Sequence, residues 1–452
     1  MSTTQATVTE AQSYPMTELG PHASKDAEAS PVEETPADAD VVQSEAATPM
    51  LKLVVAGYSF FCAGVNDGTL GPLIPYIISS FGIGTGEIAI IYGTTFLGWL
   101  LAAVTNPFLA AYLTLGQLLG AGSVLQLAAH LLRPRGPLPL FCAAFLPQSL
   151  GMAYQDAHSN AFVGGLRNVP HRWLGFIHAC YALGCFVGPL LATAVATSAP
   201  GDGDGEDAWR RVYFVLIGIC VLNVAGVAVA FRDSLWRRPH HHRNNNDGGG
   251  QRKRGRAAMR GTARLLRSKT LWLLSLFYFL TLGANFTAGG WVVEFLTAVR
   301  GGDLAAAGYV PTGFYGGMLA GRLLLAEPTF RWGEQRMLLL YSVLCVALQL
   351  VFWLQPDVVG SAVALSFIGF FSGPFFATGM SVASKLFPRE DQPAALGFIF
   401  VLAQAGGAIF PSVTGLIATS AGVAVLQPIV LGLYVAGGIS WWLVPKVPQR
   451  SD

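Results

Sequence analysis

Two aspartates lie inside long apolar stretches of the sequence, Asp67 in AGVNDGTLGPLIPYI (63–77) and Asp156 in PQSLGMAYQDAHSNAFVGG (147–165). A carboxylate in the middle of a bilayer-length helix costs about 2.5–3.5 kcal/mol or more, so such a residue is usually functional. Burial disfavours the charged form of a carboxyl group, which can therefore load a proton and release it when hydration changes. We predict that Asp67 and Asp156 couple proton movement to transport; the alternative is that they are packing elements.

The stretch around Asp156 is polar on one helical face. At 100° per residue, six side chains fall within an arc of about 140° and His158 lies about 60° outside it; the six are Gln148, Ser149, Gln155, Asp156, Ser159 and Asn160. Lipid cannot satisfy these groups, so the face should line a cavity. We expect Gln155, His158 and Asn160 to bind substrate, whereas hydrogen bonding between helices is the preferred interpretation for Gln126, Gln148 and Gln349.

The composition indicates a membrane protein. Hydrophobic residues make up 52% of the 452 and charged residues 12%, about half the charged fraction of soluble domains. Spans of about 20 residues fit twelve times: 53–79, 87–112, 114–132, 138–166, 173–198, 211–231, 271–298, 305–326, 336–355, 358–386, 394–420 and 424–445. Glycine and proline spread through these runs favour helices over a strand barrel, so the fold class is all-α.

Charge distribution predicts the topology. Residues 1–50 are acidic and read as a disordered tail, and the loop 232–270 holds twelve of the 28 lysines and arginines. By the positive-inside rule this basic loop, the N-terminal tail and the tail 446–452 are cytoplasmic. Arg133 and Arg135 form the one clear exception, because they fall in a predicted outer loop.

The two halves repeat. LGFIHACYALGCFVGP from Leu174 matches LGFIFVLAQAGGAIFP from Leu396 at a shift of 222 residues. A shift of 218 sets GTTFLGWLLA from Gly93 on PTGFYGGMLA from Pro311, and it sets Asp67 on Asn285. The six-helix bundles 51–231 and 271–445 are therefore predicted to be parallel repeats.

Parallel six-span repeats around a basic loop resemble the major facilitator superfamily, in which substrate lies near the midplane between the halves. VNDGTLGPLIPYI and QDAHSNAFVGGL resemble the first-span and fourth-span patterns of its fucose:proton symporter branch, and ANFTAGGWVVEFL resembles fungal members. The resemblance covers about residues 53–445. It implies that Asp156 carries the proton and that Asp67 engages substrate, with Asn66 and Asn160 beside them. Ala161 replaces the branch's proline, so the same sugar is not implied.

The second half offers further candidates. Asn285 and Gln404 can supply hydrogen bonds to substrate or pack between helices. Arg322 belongs to a remnant of the superfamily's loop motif and is a candidate gate. Glu294 is a second candidate gate, although it also fits an acid close to water at the end of its span.

These features predict a proton-coupled secondary transporter of a small polar organic solute, a sugar or sugar-like compound. Alternatives are a proton-antiport exporter of a fungal metabolite or toxin, and a membrane sensor that binds solute without moving it. An enzyme is not indicated, because no nucleophile with a base and no metal cluster stands out. We expect no cofactor beyond the proton gradient, no nucleic-acid partner, and a monomer in the lipid bilayer of the plasma or vacuolar membrane.

Overall fold

The computed structural model describes residues 36–166, 170–198, 205–236, 265–388 and 391–447. The predicted tail up to residue 35, the basic loop from 237 to 264 and the tail from 448 lie outside these ranges. The chain divides into the units Met1–Ala47 and Thr48–Asp452, and every contact below lies within the second. The described residues form helices and no strand.

All twelve predicted spans are helical. Those of the first half are Pro36–Phe81, Thr85–Tyr112, Leu115–Leu132, Leu138–Ala143 with Phe145–Gly164, Pro170–Thr197 and Val212–Ala230. The first helix begins at Pro36, so residues 36–50 of the predicted disordered tail are helical. A 3₁₀ helix, Gly205–Arg211, precedes the sixth span and a short helix, Arg232–Leu235, follows it.

The second half repeats this layout. Its spans are Lys269–Ala298, Leu304–Gly308 with Val310–Leu324, Glu334–Leu354, Val358–Ser372 with Phe375–Leu386, Gln392–Ala421 and Leu426–Trp442. The short helices Ala326–Trp332 and Val423–Val425 lie between spans. The tenth span is interrupted at Gly373 and Pro374, where proline supplies no backbone N–H.

Nine of the described helical segments are individually long and apolar enough to cross a membrane. The three remaining spans are the first, fourth and eighth. They contain Asp67, Asp156 and Arg322, respectively. The eighth span is interrupted at Tyr309, and its longer helix, Val310–Leu324, has 15 residues.

One face of the bundle carries the helix ends nearest the termini, and we call it the terminal face. There Lys52 Nζ lies 2.7 Å from Asp233 Oδ2, which joins the first span to the short helix that follows the sixth. In the second half Gln335 Nε2 donates to the Pro445 carbonyl oxygen at 2.8 Å. Because consecutive spans alternate in direction, these two contacts lie on the same face.

Glycines bring the first and fifth spans into backbone contact. Each helix has two glycines four residues apart, Gly64 with Gly68 and Gly184 with Gly188, a spacing that allows close helix approach in membranes. A Cβ on Gly68 would lie 2.6 Å from the Cys185 carbonyl oxygen. A Cβ on Gly64 would overlap the Tyr181 carbonyl oxygen, so only glycine fits this crossing.

The second half repeats the same crossing between the seventh and eleventh spans. A Cβ on Gly184 would overlap the Phe61 carbonyl oxygen, and one on Gly406 would overlap that of Phe279. The two carbonyls are 218 residues apart and the two glycines 222, the shifts found in the sequence. The predicted parallel repeat is confirmed by this shared contact.

The halves meet on the face opposite the terminal face. Gly71 of the first span lies so close to Gly289 of the seventh that a Cβ would overlap its carbonyl oxygen. Between the second and eleventh spans, Ser412 Oγ donates to the Ala89 carbonyl oxygen at 2.8 Å. These contacts close the bundle at this end.

The first prediction concerns the crossing of the first and fifth spans. In the variant Gly184→Ala, the added methyl group meets a backbone carbonyl that cannot rotate away. We expect a loss of about 1–3 kcal/mol, as for overpacking elsewhere, seen as a lower melting temperature of the purified full-length protein.

The matched control is Gly175→Ala in the same helix, where a Cβ would meet nothing within 4 Å. Alanine is favoured over glycine in helices by about 1 kcal/mol, so the control should melt at the wild-type temperature or slightly above it. Equal melting temperatures for the two variants would show that the crossing does not depend on glycine.

Candidate functional site

A central cavity lies between the two halves. Spans from the first half line it with Asn66, Asp67 and Gln148, and spans from the second half line it with Tyr315 and Gln404. Its empty volume is about 680 Å³, including the part open to solvent. Polar side chains from both halves therefore face the same space.

Two smaller compartments adjoin this cavity. The acid compartment contains Asp67 and Asp156 and shares Trp99, Met152 and Gln404 with the central cavity, as well as Asp67 itself. The arginine compartment contains Arg322 and shares Phe286 and Tyr315 with the central cavity. Tyr181 lines both compartments. The three spaces are therefore neighbours that share lining side chains.

Asp67 accepts two hydrogen bonds. Asn66 Nδ2 donates to its Oδ1 at 3.2 Å and the Tyr181 hydroxyl donates to its Oδ2 at 2.8 Å. Tyr181 reaches Asp67 because Gly64 and Gly68 hold the first span against the fifth. The predicted neighbour Asn66 is in place, and Tyr181 is a partner that the sequence analysis missed.

Asp156 is less well satisfied. Asn160 Nδ2 donates to its Oδ1 at 3.3 Å, while its Oδ2 is buried without a hydrogen-bond partner. No lysine or arginine in the described part of the chain forms an ion pair with either acid. The structure thus brings both predicted acids into one compartment without a compensating cation.

Gln155 belongs to a buried network between helices. Its Oε1 accepts from Gln126 Nε2 at 2.7 Å and from Asn223 Nδ2 at 3.1 Å. Its Nε2 donates to the Leu119 carbonyl oxygen at 3.2 Å, and Asn223 Oδ1 accepts from Ser59 Oγ at 2.8 Å. Although Gln155 borders the acid compartment, its amide is committed to the third and sixth spans.

The other predicted binding residues are placed unequally. His158 points to the second span, where its Nε2 lies 2.7 Å from Asn106 Oδ1, and it lines none of the three spaces. Asn285 lines the arginine compartment and accepts from the Tyr434 hydroxyl at 2.6 Å. Gln404 lines the central cavity and the acid compartment, and its amide makes no hydrogen bond to the described residues.

The two candidate gates are separated. Arg322 of the eighth span donates to the His178 carbonyl oxygen of the fifth span at 3.2 Å, which links the halves on the terminal-face side of the cavity. Glu294 is half-buried on the seventh span and lines none of the three spaces. The structure therefore joins Arg322, but not Glu294, to the cavity.

Arg133 differs from its predicted position in an outer loop. It caps the third span and is 1% exposed, with its guanidinium 3.7 Å from the ring centre of Phe145. The guanidinium also donates to Gln148 Oε1. Gln148 borders the central cavity, so Arg133 orients an amide that the sequence analysis assigned to packing. In the sequence, the departure of Arg133 from the positive-inside pattern is the signal that could have indicated its burial.

The second prediction separates the two glutamines. In Gln155→Met, the amides of Gln126 and Asn223 lose their acceptor. Each buried group left unpaired lowers the free energy of unfolding by about 1–3 kcal/mol. We expect a marked fall in the melting temperature of the full-length protein. The matched variant Gln404→Met removes no hydrogen bond to the described residues and should melt close to wild type. A larger fall for Gln404→Met would contradict these assignments.

The chain is similar to proteins of one known family. A sequence profile of the Major Facilitator Superfamily matches residues 57–366 and 331–452. The protein Bypass of stop codon protein 6 from Saccharomyces cerevisiae is 25% identical over 425 residues, covering 88% of this chain and 83% of the yeast protein.

Solved structures share the fold at low identity. The E. coli fucose:proton symporter FucP superposes with a TM-score of 0.61 at 16% identity, covering 88% of this chain and 100% of the other. A D-xylose-proton symporter gives 0.68 at 11% identity, covering 88% and 98%. The chain therefore belongs to the Major Facilitator Superfamily and is a membrane transporter, not an enzyme.

Proposed function

We propose that this protein is a proton-coupled secondary transporter of a small polar organic solute and works by alternating access. The observation that carries the proposal is the pair Asp67 and Asp156, which share one compartment between the halves without a cation partner in the described residues. An uncompensated carboxylate in the membrane interior is costly, so protonation is the simplest way to neutralise it.

The two acids have different surroundings, which supports different roles. Asp156 has one buried oxygen without a partner, and protonation at this oxygen removes the unsatisfied charge. We assign the transported proton to Asp156. Asp67 lines both the acid compartment and the central cavity, so a solute in the central cavity can contact Asp67 while Asp156 carries the proton.

The central cavity suits a hydroxyl-bearing solute. Asn66, Thr95, Gln148 and Gln404 place amide and hydroxyl groups on its wall, and Trp99 adds an aromatic surface. Hydroxyl groups of a sugar both donate and accept hydrogen bonds, while its C–H faces pack on aromatic rings. Two relatives of the same fold are named as proton symporters of fucose and D-xylose, and a sugar-like substrate is in keeping with this wall.

Gating is assigned to the two ends of the cavity. The contact of Gly71 with Gly289 closes the face opposite the terminal face, and Arg322 bridges to His178 on the other side. Rocking one half against the other would break one of these contacts and keep the other. We further propose that the terminal face is cytoplasmic, in the plasma or vacuolar membrane.

A proton-antiport exporter is the second candidate. Several aromatic side chains line the central cavity, which fits a less polar cargo. They are Tyr92, Trp99, Phe145 and Phe286. The same protonation cycle drives export when the proton and the cargo move in opposite directions. The direction of proton movement upon solute addition separates the two candidates.

The third prediction tests the acids directly. The full-length protein is reconstituted in vesicles, and internal pH is recorded while sugars and related metabolites are added. We expect solute-dependent proton flux in wild type and its loss in Asp156→Asn, because asparagine cannot release a proton. Exchange of labelled solute across the membrane, without net proton flux, should persist in Asp156→Asn. The same exchange should fall sharply in Asp67→Asn, because the carboxylate that this change removes also engages solute.

The matched control is Glu327→Gln, which removes an exposed acid that pairs with Arg331 far from the cavity. Its flux should equal wild type. Wild-type proton flux in both aspartate variants would show that the acids are packing elements, and binding of a solute without any proton movement would favour a sensor or an uncoupled carrier.

A further inference from the structure

We propose that the arginine compartment binds an anionic group of the transported solute, so that the substrate is a small polar organic acid rather than a neutral sugar. This inference rests on the proposed transport function and specifies its substrate class. It starts from Arg322, the one arginine or lysine among the described residues that line the three spaces.

The guanidinium of Arg322 has only neutral partners. Its Nε donates to the Gly373 carbonyl oxygen at 3.3 Å, its Nη1 to the His178 carbonyl oxygen at 3.2 Å, and its Nη2 to Met318 Sδ at 3.7 Å. These contacts engage three of the five N–H groups that a guanidinium carries, and sulfur is a weak acceptor. The positive charge therefore has no anionic partner in the described part of the chain, and two N–H groups are uncommitted.

The rest of the compartment is suited to an anion. Its wall contains no aspartate or glutamate among the described residues. Asn285 accepts through its Oδ1 from Tyr434, and its Nδ2 has no hydrogen-bond acceptor among the described residues. The hydroxyl of Tyr315, which lines both this compartment and the central cavity, makes no hydrogen bond to the described residues. Arg322, Asn285 and Tyr315 thus offer donors together with a net positive charge.

Arg133 provides a useful contrast. It is also buried without an acid, but aromatic rings cover its guanidinium at 3.7 Å from Phe145 and 5.4 Å from Tyr213, and it lines none of the three spaces. Such cation–π contacts stabilise a desolvated arginine. No ring is found over the guanidinium of Arg322 in the described residues, so neither an aromatic ring nor an acid offsets its charge there.

The distribution of charge suits one solute that contacts both the acids and Arg322. Tyr181 lies between the two compartments, with its hydroxyl on Asp67 at 2.8 Å. In this proposal the solute places hydroxyl groups near Asn66 and Asp67 in the central cavity and its anionic group at Arg322. A carboxylate or a phosphate ester matches the planar fork of a guanidinium. The anion would neutralise Arg322 while protons neutralise the acids, so the loaded cavity would carry little net charge.

The test compares acids with their neutral parents. The melting temperature of the full-length protein in lipid nanodiscs is measured with each acid and with its neutral parent. The pairs are D-galacturonate with D-galactose, D-gluconate with D-glucose, and D-glucose 6-phosphate with D-glucose. We expect at least one anion to raise the melting temperature while its neutral parent does not. The carboxylate and phosphate arms show which anionic group is accepted.

Variants of Arg322 assign this binding to the compartment. Arg322→Gln should weaken binding of the anion about tenfold or more, since charge-assisted hydrogen bonds contribute about 1.5–3 kcal/mol. Arg322→Lys keeps the charge and should retain part of the affinity, which provides a second test if Arg322→Gln folds poorly. The matched control Arg135→Gln removes an exposed arginine and should bind as wild type.

The inference is overturned if no anion of the panel binds, if a neutral parent binds as tightly as its acid, or if Arg322→Gln binds the acid as wild type does. Vesicle measurements keep the two proposals apart. A neutral solute that moves with protons overturns the anion site and leaves proton coupling standing. Transport of an acid that requires Arg322 but moves no protons supports the anion site and overturns proton coupling.

Discussion

Backbone contact between the first and fifth spans is the constraint from which the site follows. Gly64 and Gly68 on one helix, with Gly184 and Gly188 on the other, remove the Cβ atoms that would hold the two backbones apart. In lipid, helix association depends on such close packing because the hydrophobic effect does not distinguish a helix from the acyl chains around it. The approach sets the Tyr181 hydroxyl 2.8 Å from Asp67.

Polar groups inside this bundle fall into two populations. Members of the first, such as Gln155 with Gln126 and Asn223, satisfy one another and join three helices. Members of the second retain unused capacity, and they include Asp156 with its unpartnered oxygen and Gln404 with its free amide. Because an unsatisfied group in a low-dielectric interior is costly, we assign the proposed proton and solute contacts to the second population.

The repeat gives the two halves equal scaffolds and unequal chemistry. The crossing at Phe61 and Gly184 recurs at Phe279 and Gly406. At the equivalent positions on the scaffold, however, Asp67 faces Tyr181 whereas Asn285 faces Tyr434. The first half holds Asp67 and Asp156 and the second half holds Arg322, so the two repeats bring different charged side chains to the space between them.

The sequence by itself determined the twelve helices, their repeat and the two acids, because apolar length, internal similarity and a charge in an apolar run are all local properties. It also placed Asn66 and Asn160 correctly beside those acids, since neighbours on one helix follow from helical spacing. Tertiary structure alone decided that Gln155 is committed to other helices, that His158 turns toward Asn106, and that Arg133 is buried. Helical periodicity gives the direction of a side chain about its own axis, but which helix stands opposite depends on contacts between residues far apart in the chain.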